Sequence, residues 1–363
     1  METLEKRQIE AAEVVFPCEN LAENLAFFTE TLGFRLQLVY PADAPRVAVV
    51  SGYGVCIRLE EKPGEAPALL RLLGRGADIS SGLAEDLMAP NGTRIEFGVA
   101  DAYPHMPDLR PSLSVQKAEH QSNWGDGRAG MQYRDLIPDR WGGAYIASHI
   151  RIPEGGPVAD YVHHHHINFQ LIYCYKGWVR VVYEDQGPEF VMEAGDCVLQ
   201  PPHIRHRVLE CSAGLEVIEI GCPAEHETLV DHELILPTKQ RRPERDFGGQ
   251  RFCFHQAASA DWSPWRCEGF ETRDTGIASA TDNVVSVSVV RPTSASSSAR
   301  SPHRGELLFK FVLQGSMTLE CHENERRHLV AGDACAIPAG IDYCLSDCSD
   351  DLEFLEVLTP SRM

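Results

Sequence analysis

FQLIYCYKGWVRVVYE (residues 169–184) and EAGDCVLQPPHIRH (193–206) have counterparts later in the chain in LFKFVLQGSMTLECHE (308–323) and VAGDACAIPAGIDY (330–343). In each copy an apolar run of strand length reaches a glycine, Gly177 or Gly315, and a second strand-like run follows. The same order of strand, turn and strand written twice marks an internal duplication. From residue 145 onward, apolar runs are broken by Gly, Pro and Asp at intervals of roughly 8 to 12 residues, the rhythm of a β-sandwich or barrel. The chain therefore reads as mainly β, with two tandem β-barrels at 135–236 and 251–363 joined by a linker at 237–250.

The residues before the barrels read differently. Residues 9–16 are a β-branched, apolar run. Asn20 can cap a helix to Leu32, with Leu21, Leu25, Phe28 and Leu32 at helical spacing and Gly33 to stop it. Residues 34–40, 46–50, 55–60 and 94–99 read as strands separated by Pro and Gly, which makes 1–104 a small α+β domain. Residues 105–134, rich in Pro, Ser, Gly and charge with little periodicity, read as a linker.

At 363 residues the chain is long enough for two or three domains, and 43% hydrophobic with 24% charged residues is ordinary for a globular protein. A formal net charge of -20 argues against a nucleic-acid partner. The one basic cluster, 239–245, is short, flanked by acids, and expected to be an exposed inter-domain linker. No apolar run approaches the roughly 18 to 20 residues of a membrane span, and the N-terminus shows no signal-peptide core. Twelve cysteines are scattered without a CxxC pair, and the CxxxC spacing of Cys344 and Cys348 is read as chance. Reduced thiols in a cytoplasmic protein are the expectation.

Chemistry concentrates just before the first copy, at His163 to His166, with His206 closing that copy. Residues two apart on a strand share a face, so His163 with His165, or His164 with His166, can present two imidazoles together. A third histidine from a neighbouring strand can then close a site for one divalent metal. Tyr173, Arg180, Arg205 and Glu219 are candidates to surround it. An arginine at the barrel mouth would suit a carboxylate-bearing substrate.

The paired motifs resemble the cupin superfamily, and their duplication resembles a bicupin. The family's first motif runs His-x-His, three or four residues, Glu, six residues, Gly; its second runs Gly, five residues, Pro-x-Gly, two residues, His. Gly177 and Gly195-x5-Pro201-x-His203-x2-His206 fit both frames. The resemblance places Gln170 at the glutamate position. A four-residue spacing selects His163 and His165, and a three-residue spacing selects His164 and His166. The former is favoured as the commoner, which makes the expected metal set His163, His165, Gln170 and His206. His203 takes the place of the turn glycine. In the second copy His303 stands near the first-motif position, but Leu308 occupies the glutamate place and Tyr343 the final histidine place, so no metal is expected there.

The N-terminal residues resemble the vicinal oxygen chelate (glyoxalase and bleomycin-resistance) superfamily in ENLAENLAFFTETLGF (19–34) and APNGTRIEFG (89–98). That resemblance implies metal ligands at Glu13 and Glu96 and a fold of two βαβββ units. Only roughly 30 residues separate Glu61 from the last strand, so the second unit reads as truncated and the domain as structural or dimerising.

Together the resemblances imply a mononuclear metal-dependent cupin enzyme, an oxidoreductase of the Fe(II) dioxygenase type acting on a small organic substrate. Mn, Ni, Zn or Cu also suit three imidazoles. An isomerase, lyase or hydrolase working without dioxygen, and a non-catalytic ligand-binding bicupin, are the alternatives. The expected partner is a small molecule, not nucleic acid or a membrane, and a homodimer is compatible with this reading.

Overall fold

In a computed structural model, residues 13–41, 45–62, 64–74, 87–99, 106–118, 124–127, 130–294, 297–321 and 325–360 are described. The chain is mainly β and divides into two compact units, Met1–Ala102 and Tyr103–Met363. Among the described residues no helix is long and apolar enough to cross a membrane.

The first unit opens with β1 (Val14–Cys18), so the expected strand at 9–16 lies partly outside the described residues. The Asn20 side chain accepts a hydrogen bond from the Glu23 amide and starts α1 (Leu21–Ala26). The helix expected to run to Leu32 instead widens into a π turn over 27–31 before Gly33, at φ +74°, ends it. Leu21, Phe28 and Leu32 are buried, as their spacing requires. β2 (Arg35–Tyr40), β3 (Val47–Gly52) and β4 (Val55–Glu61) follow, and the sheet order is β1-β4-β3-β2 with β1 parallel to β4. This is one βαβββ unit. The other described strands of this unit form a three-stranded sheet, β5-β7-β6, made of β5 (Leu69–Gly74), β6 (Leu87–Met88) and β7 (Arg94–Val99).

The second unit holds two barrels, each of two sheets. Its strands begin with β8 (Ser114–Gln116), β9 (Gly125–Asp126), β10 (Gln132–Asp135), β11 (Ile146–Ile152), β12 (Gly156–Pro157) and β13 (His163–His165). Then come β14 (Phe169–Lys176), β15 (Trp178–Tyr183), β16 (Phe190–Glu193), β17 (Cys197–Gln200), β18 (His206–Cys211), β19 (Leu215–Cys222), β20 (Thr228–Val230) and β21 (Cys253–His255). The second barrel follows with β22 (Ser263–Pro264), β23 (Phe270–Asp274), β24 (Ser286–Pro292), β25 (Ser301–Pro302), β26 (Leu307–Gln314) and β27 (Ser316–Cys321). It closes with β28 (Glu325–Val330), β29 (Ala334–Pro338), β30 (Asp342–Ser346) and β31 (Glu353–Leu358). The first barrel pairs β21-β17-β14-β19-β11-β10-β9 against β16-β15-β18-β13-β20; the second pairs β22-β23-β24-β31-β26-β29-β8 against β25-β30-β27-β28.

The barrels exchange arms. β8, from residues expected to form a linker, joins the second barrel at β29, while β21, expected inside the second barrel, joins the first at β17. Each arm caps an otherwise open sheet edge. The duplicated aspartates hold them: Asp196 Oδ1 accepts from the Ala257 amide and Asp333 Oδ1 from the Ala118 amide, both at 2.8 Å. β9 and β10 also fall in the expected linker and extend the first barrel's larger sheet. The basic 239–245 cluster is likewise tied down, with Arg242 and Arg245 paired to the buried Asp185.

Alternation along β14 shows how the barrels meet. Phe169, Leu171 and Tyr173 face one way, into a core shared with Val287, Phe309, Phe311 and Val357 of the second barrel. Gln170 and Ile172 face the other way and line the first barrel's interior. One strand thus serves the inter-barrel interface with one face and the candidate site with the other.

Candidate metal centre

β13 and β18 run antiparallel with His163 directly opposite His206. His165, two residues along β13, shares the inward face, and all three rings are buried. Their ring centroids lie 4.3 Å (His163–His206), 5.2 Å (His163–His165) and 5.4 Å (His165–His206) apart. One candidate ligand nitrogen from each lies within 4.8 Å of the others.

The surroundings decide which nitrogen each ring offers. His163 Nδ1 donates to the Tyr161 carbonyl at 2.8 Å, and His206 Nδ1 to the Ile204 carbonyl at 3.0 Å. His165 Nδ1 pairs with the Thr228 hydroxyl at 3.0 Å. With Nδ1 engaged in all three, Nε2 is the nitrogen that can turn to a metal. The buried Asp160 carboxylate lies 3.7 Å from His163 Nδ1, and Tyr183 stacks on the His206 ring at 5.5 Å while accepting from Gln200 Nε2. Burial raises the Tyr183 phenol well above its ordinary pKa, so it stays protonated.

Gln170 lines the same cavity. Its amide nitrogen donates to Glu219 Oε1, which fixes the side chain's orientation, because a carboxylate can only accept. The amide oxygen is then buried without a hydrogen-bond partner. An orphaned oxygen lining the same cavity as three clustered imidazoles suits a cation, and the donor set fits one divalent transition metal.

These residues line a cavity of about 250 Å³. Its walls are apolar, built from side chains such as Ile150, Ile172, Val181, Met192 and Val217. A dry cavity of about 150 Å³ accommodates benzene, so this one admits a molecule modestly larger. The expected arginine is not there: no Arg or Lys is among the described residues lining the cavity. Arg180 pairs with Glu189 and Glu210, Arg205 pairs with Asp231, and Tyr173 faces the inter-barrel core. Of the four surrounding candidates only Glu219 lines the cavity. His226 was not foreseen; it lines the cavity with its ring 5.2 Å from that of His165. It follows β19, outside both repeated motifs, so no spacing announces it.

His164 and His166 lie on the opposite face, near the exposed His203. Burial and the nearby Arg205 lower the His164 pKa to about 4, keeping that ring neutral. In the first unit Glu13 pairs with Arg58 and Glu96 with Arg94, and neither joins a metal-ligating group among the described residues.

The second barrel fills the equivalent space with its own cation. Lys310, fully buried, donates to Glu356, its cross-strand neighbour, as Ile172 neighbours Glu219 in the first barrel. Arg266 bonds the same carboxylate and the Tyr343 hydroxyl, and Tyr343 stands in the place of His206. Burial opposes ionisation of Glu356, but Lys310 and Arg266 outweigh it and hold the carboxyl at about 2. His303 Nε2 donates to the Ile337 and Pro338 carbonyls at 2.8 Å.

Residues 148–220 match the family model described as Cupin domain. No curated protein matches. Among solved structures, oxalate decarboxylase of Bacillus subtilis, in a study of its Mn(II) centres, is 13% identical over 72% of this chain and 80% of that chain, with a TM-score of 0.51. The same enzyme at pH 4.6 is 12% identical over 72% of this chain and 78% of that chain, with a TM-score of 0.50. The match to the cupin model lies within the first barrel, and the pair of barrels shares the fold of the oxalate decarboxylase structures.

Proposed function

We propose that the first barrel is a mononuclear metal-dependent cupin enzyme, an Fe(II) dioxygenase acting on a small, largely apolar organic molecule. One observation carries the proposal: three imidazoles with fixed Nδ1 partners cluster together, and an orphaned Gln170 carbonyl lines the same largely apolar cavity of about 250 Å³. His163, His165 and His206 would hold the ion through Nε2, with the Gln170 oxygen as a neutral fourth donor. A bound Fe(II) supplies electrons to dioxygen and polarises a substrate oxygen beside it.

The chain's own residues do the rest. The Ile, Val and Met walls exclude water and hold an apolar body within reach of the imidazoles. Glu219 keeps the Gln170 amide turned so that its oxygen, not its nitrogen, faces away from the carboxylate. Tyr183 and Gln200 hold the His206 ring. A cavity with no lysine or arginine among its described lining residues, and with the Glu219 carboxyl in its wall, favours neutral molecules over dianions.

Glu219 also supports a second reading. A carboxylate at the cavity can take a proton from a substrate held by a Lewis-acidic ion, as a lyase or isomerase requires, and the Mn(II) of the oxalate decarboxylases is such an ion. Oxygen consumption on adding Fe(II) with aromatic or diketone substrates tests the first reading. Turnover of the same compounds without oxygen uptake supports the second, and ligand binding without turnover by metal-replete protein would leave a binding bicupin.

A further inference from the structure

The interior centre uses one face of the four-histidine run, and the other face carries a second set. His164 and His166 point away from the cavity, and His203, in the turn between β17 and β18, meets them. Ring centroids lie 4.8 Å (His166–His203), 5.9 Å (His164–His203) and 6.0 Å (His164–His166) apart, with candidate ligand nitrogens within 4.8 Å of one another. Nδ1 of His164 and Nδ1 of His166 are both buried and make no hydrogen bond. His166, 8% exposed, places that nitrogen 3.1 Å from Glu227 Oε2 without hydrogen-bond geometry. Buried polar atoms left in this condition call for a bound species.

The duplication sharpens the case. His203 has φ +64°, a left-handed conformation that disfavours side chains. The matching residue of the second barrel is Gly340, at φ +79°, where an added Cβ would meet nothing within 4 Å. Glycine satisfies this turn without strain, yet the first barrel places an imidazole there. The nearby Arg205 guanidinium is met by Asp231 at 3.4 Å and Glu184 at 3.8 Å, which offsets its repulsion of a cation.

We propose that His164, His166 and His203 form a second divalent-metal site on the outside of the barrel, suited to Zn(II), Co(II), Ni(II) or Cu(II), with the Glu227 carboxylate at hand as an oxygen donor. Three imidazoles disfavour Mg(II) and Ca(II). β13 has three register pairs with β20 and one with β18, so an ion here would clip the turn containing His203 to the strand that also carries His163 and His165. The site stands whether or not the interior centre is catalytic.

The test is Zn(II) titration of the full-length, tag-free protein by calorimetry, with metal analysis after gel filtration. Wild type should bind two equivalents per chain. His203→Gly, which relieves the backbone, should keep the fold and retain one, with the second weakened by at least roughly 10- to 100-fold. His164→Gln should lose the same equivalent, and His206→Ala should lose the other. A single wild-type equivalent lost in His203→Gly and kept in His206→Ala would support the outer site while removing the interior one. Unchanged stoichiometry in both His203→Gly and His164→Gln, or one equivalent lost only in His206→Ala, would overturn the proposal.

Discussion

Replacing Lys310 with methionine tests whether the second barrel is held by an internal cation. Lys310 is fully buried, its ammonium 4.5 Å from the Phe354 ring centroid, and it faces a Glu356 carboxylate that is itself 4% exposed. The drop in the Glu356 carboxyl from 4.5 to about 2 corresponds to about 3 kcal/mol of native-state stabilisation at neutral pH. Removing one partner of a buried pair costs about 3–5 kcal/mol. Arg266 still binds Glu356, so Lys310→Met should fall at the lower end, about 3 kcal/mol, or a fall in Tm of about 6–12 °C. The sign with pH follows from the depressed value: the contribution is complete above the ordinary glutamate pKa and is lost as pH falls toward 2. Urea unfolding at pH 7 and pH 3.5 measures it, and the gap between wild type and Lys310→Met should narrow at the lower pH. Lys310→Met with Glu356→Leu and Arg266→Met should recover most of the loss, because the whole ion network is then replaced by apolar groups that need no partner. A loss under about 1 kcal/mol at pH 7, or a triple variant weaker than the single one, would refute the reasoning.

His206→Ala should abolish metal binding at the interior centre, whereas His303→Ala, whose ring donates to carbonyls, should leave it intact; metal analysis of the purified variants checks both. Gln170→Glu sets a second carboxyl against Glu219, so one of the pair should titrate high, and the metal-free variant should lose on the order of 1–3 kcal/mol as pH rises above about 4.3, with added metal restoring it; thermal melts against pH show this. Asp196→Ala removes the acceptor for the Glu193 and Ala257 amides, and hydrogen exchange should show the β21 arm opening more readily, with a stability loss of roughly 1–3 kcal/mol.

Both barrels were legible in the chain because their strands repeat the same apolar runs and turns at matching distances. The arm exchange was not. SVQ and CFH are three residues each, too short for a periodicity, and their partners are chosen by open edges far away in sequence. The histidine run could not settle its own parity, since four identical residues satisfy both spacings. The phase comes from neighbours: His163 faces His206 across the sheet, and the break in strand structure at 166–168 interrupts any alternation carried forward to Gln170. Lys310 reads as one charge inside an apolar strand, and only the register that sets it against Glu356 explains it. The Asn20 cap and the α1 spacing were plain, but the π turn that follows is a packing outcome.

A single measurement bears most directly on the interior centre: anomalous diffraction from crystals of tag-free protein loaded with Fe(II) or Mn(II), recorded at the metal edge. A peak enclosed by Nε2 of His163, His165 and His206 and reached by the Gln170 oxygen is the expected result. Fully loaded crystals with no peak inside the first barrel would contradict it.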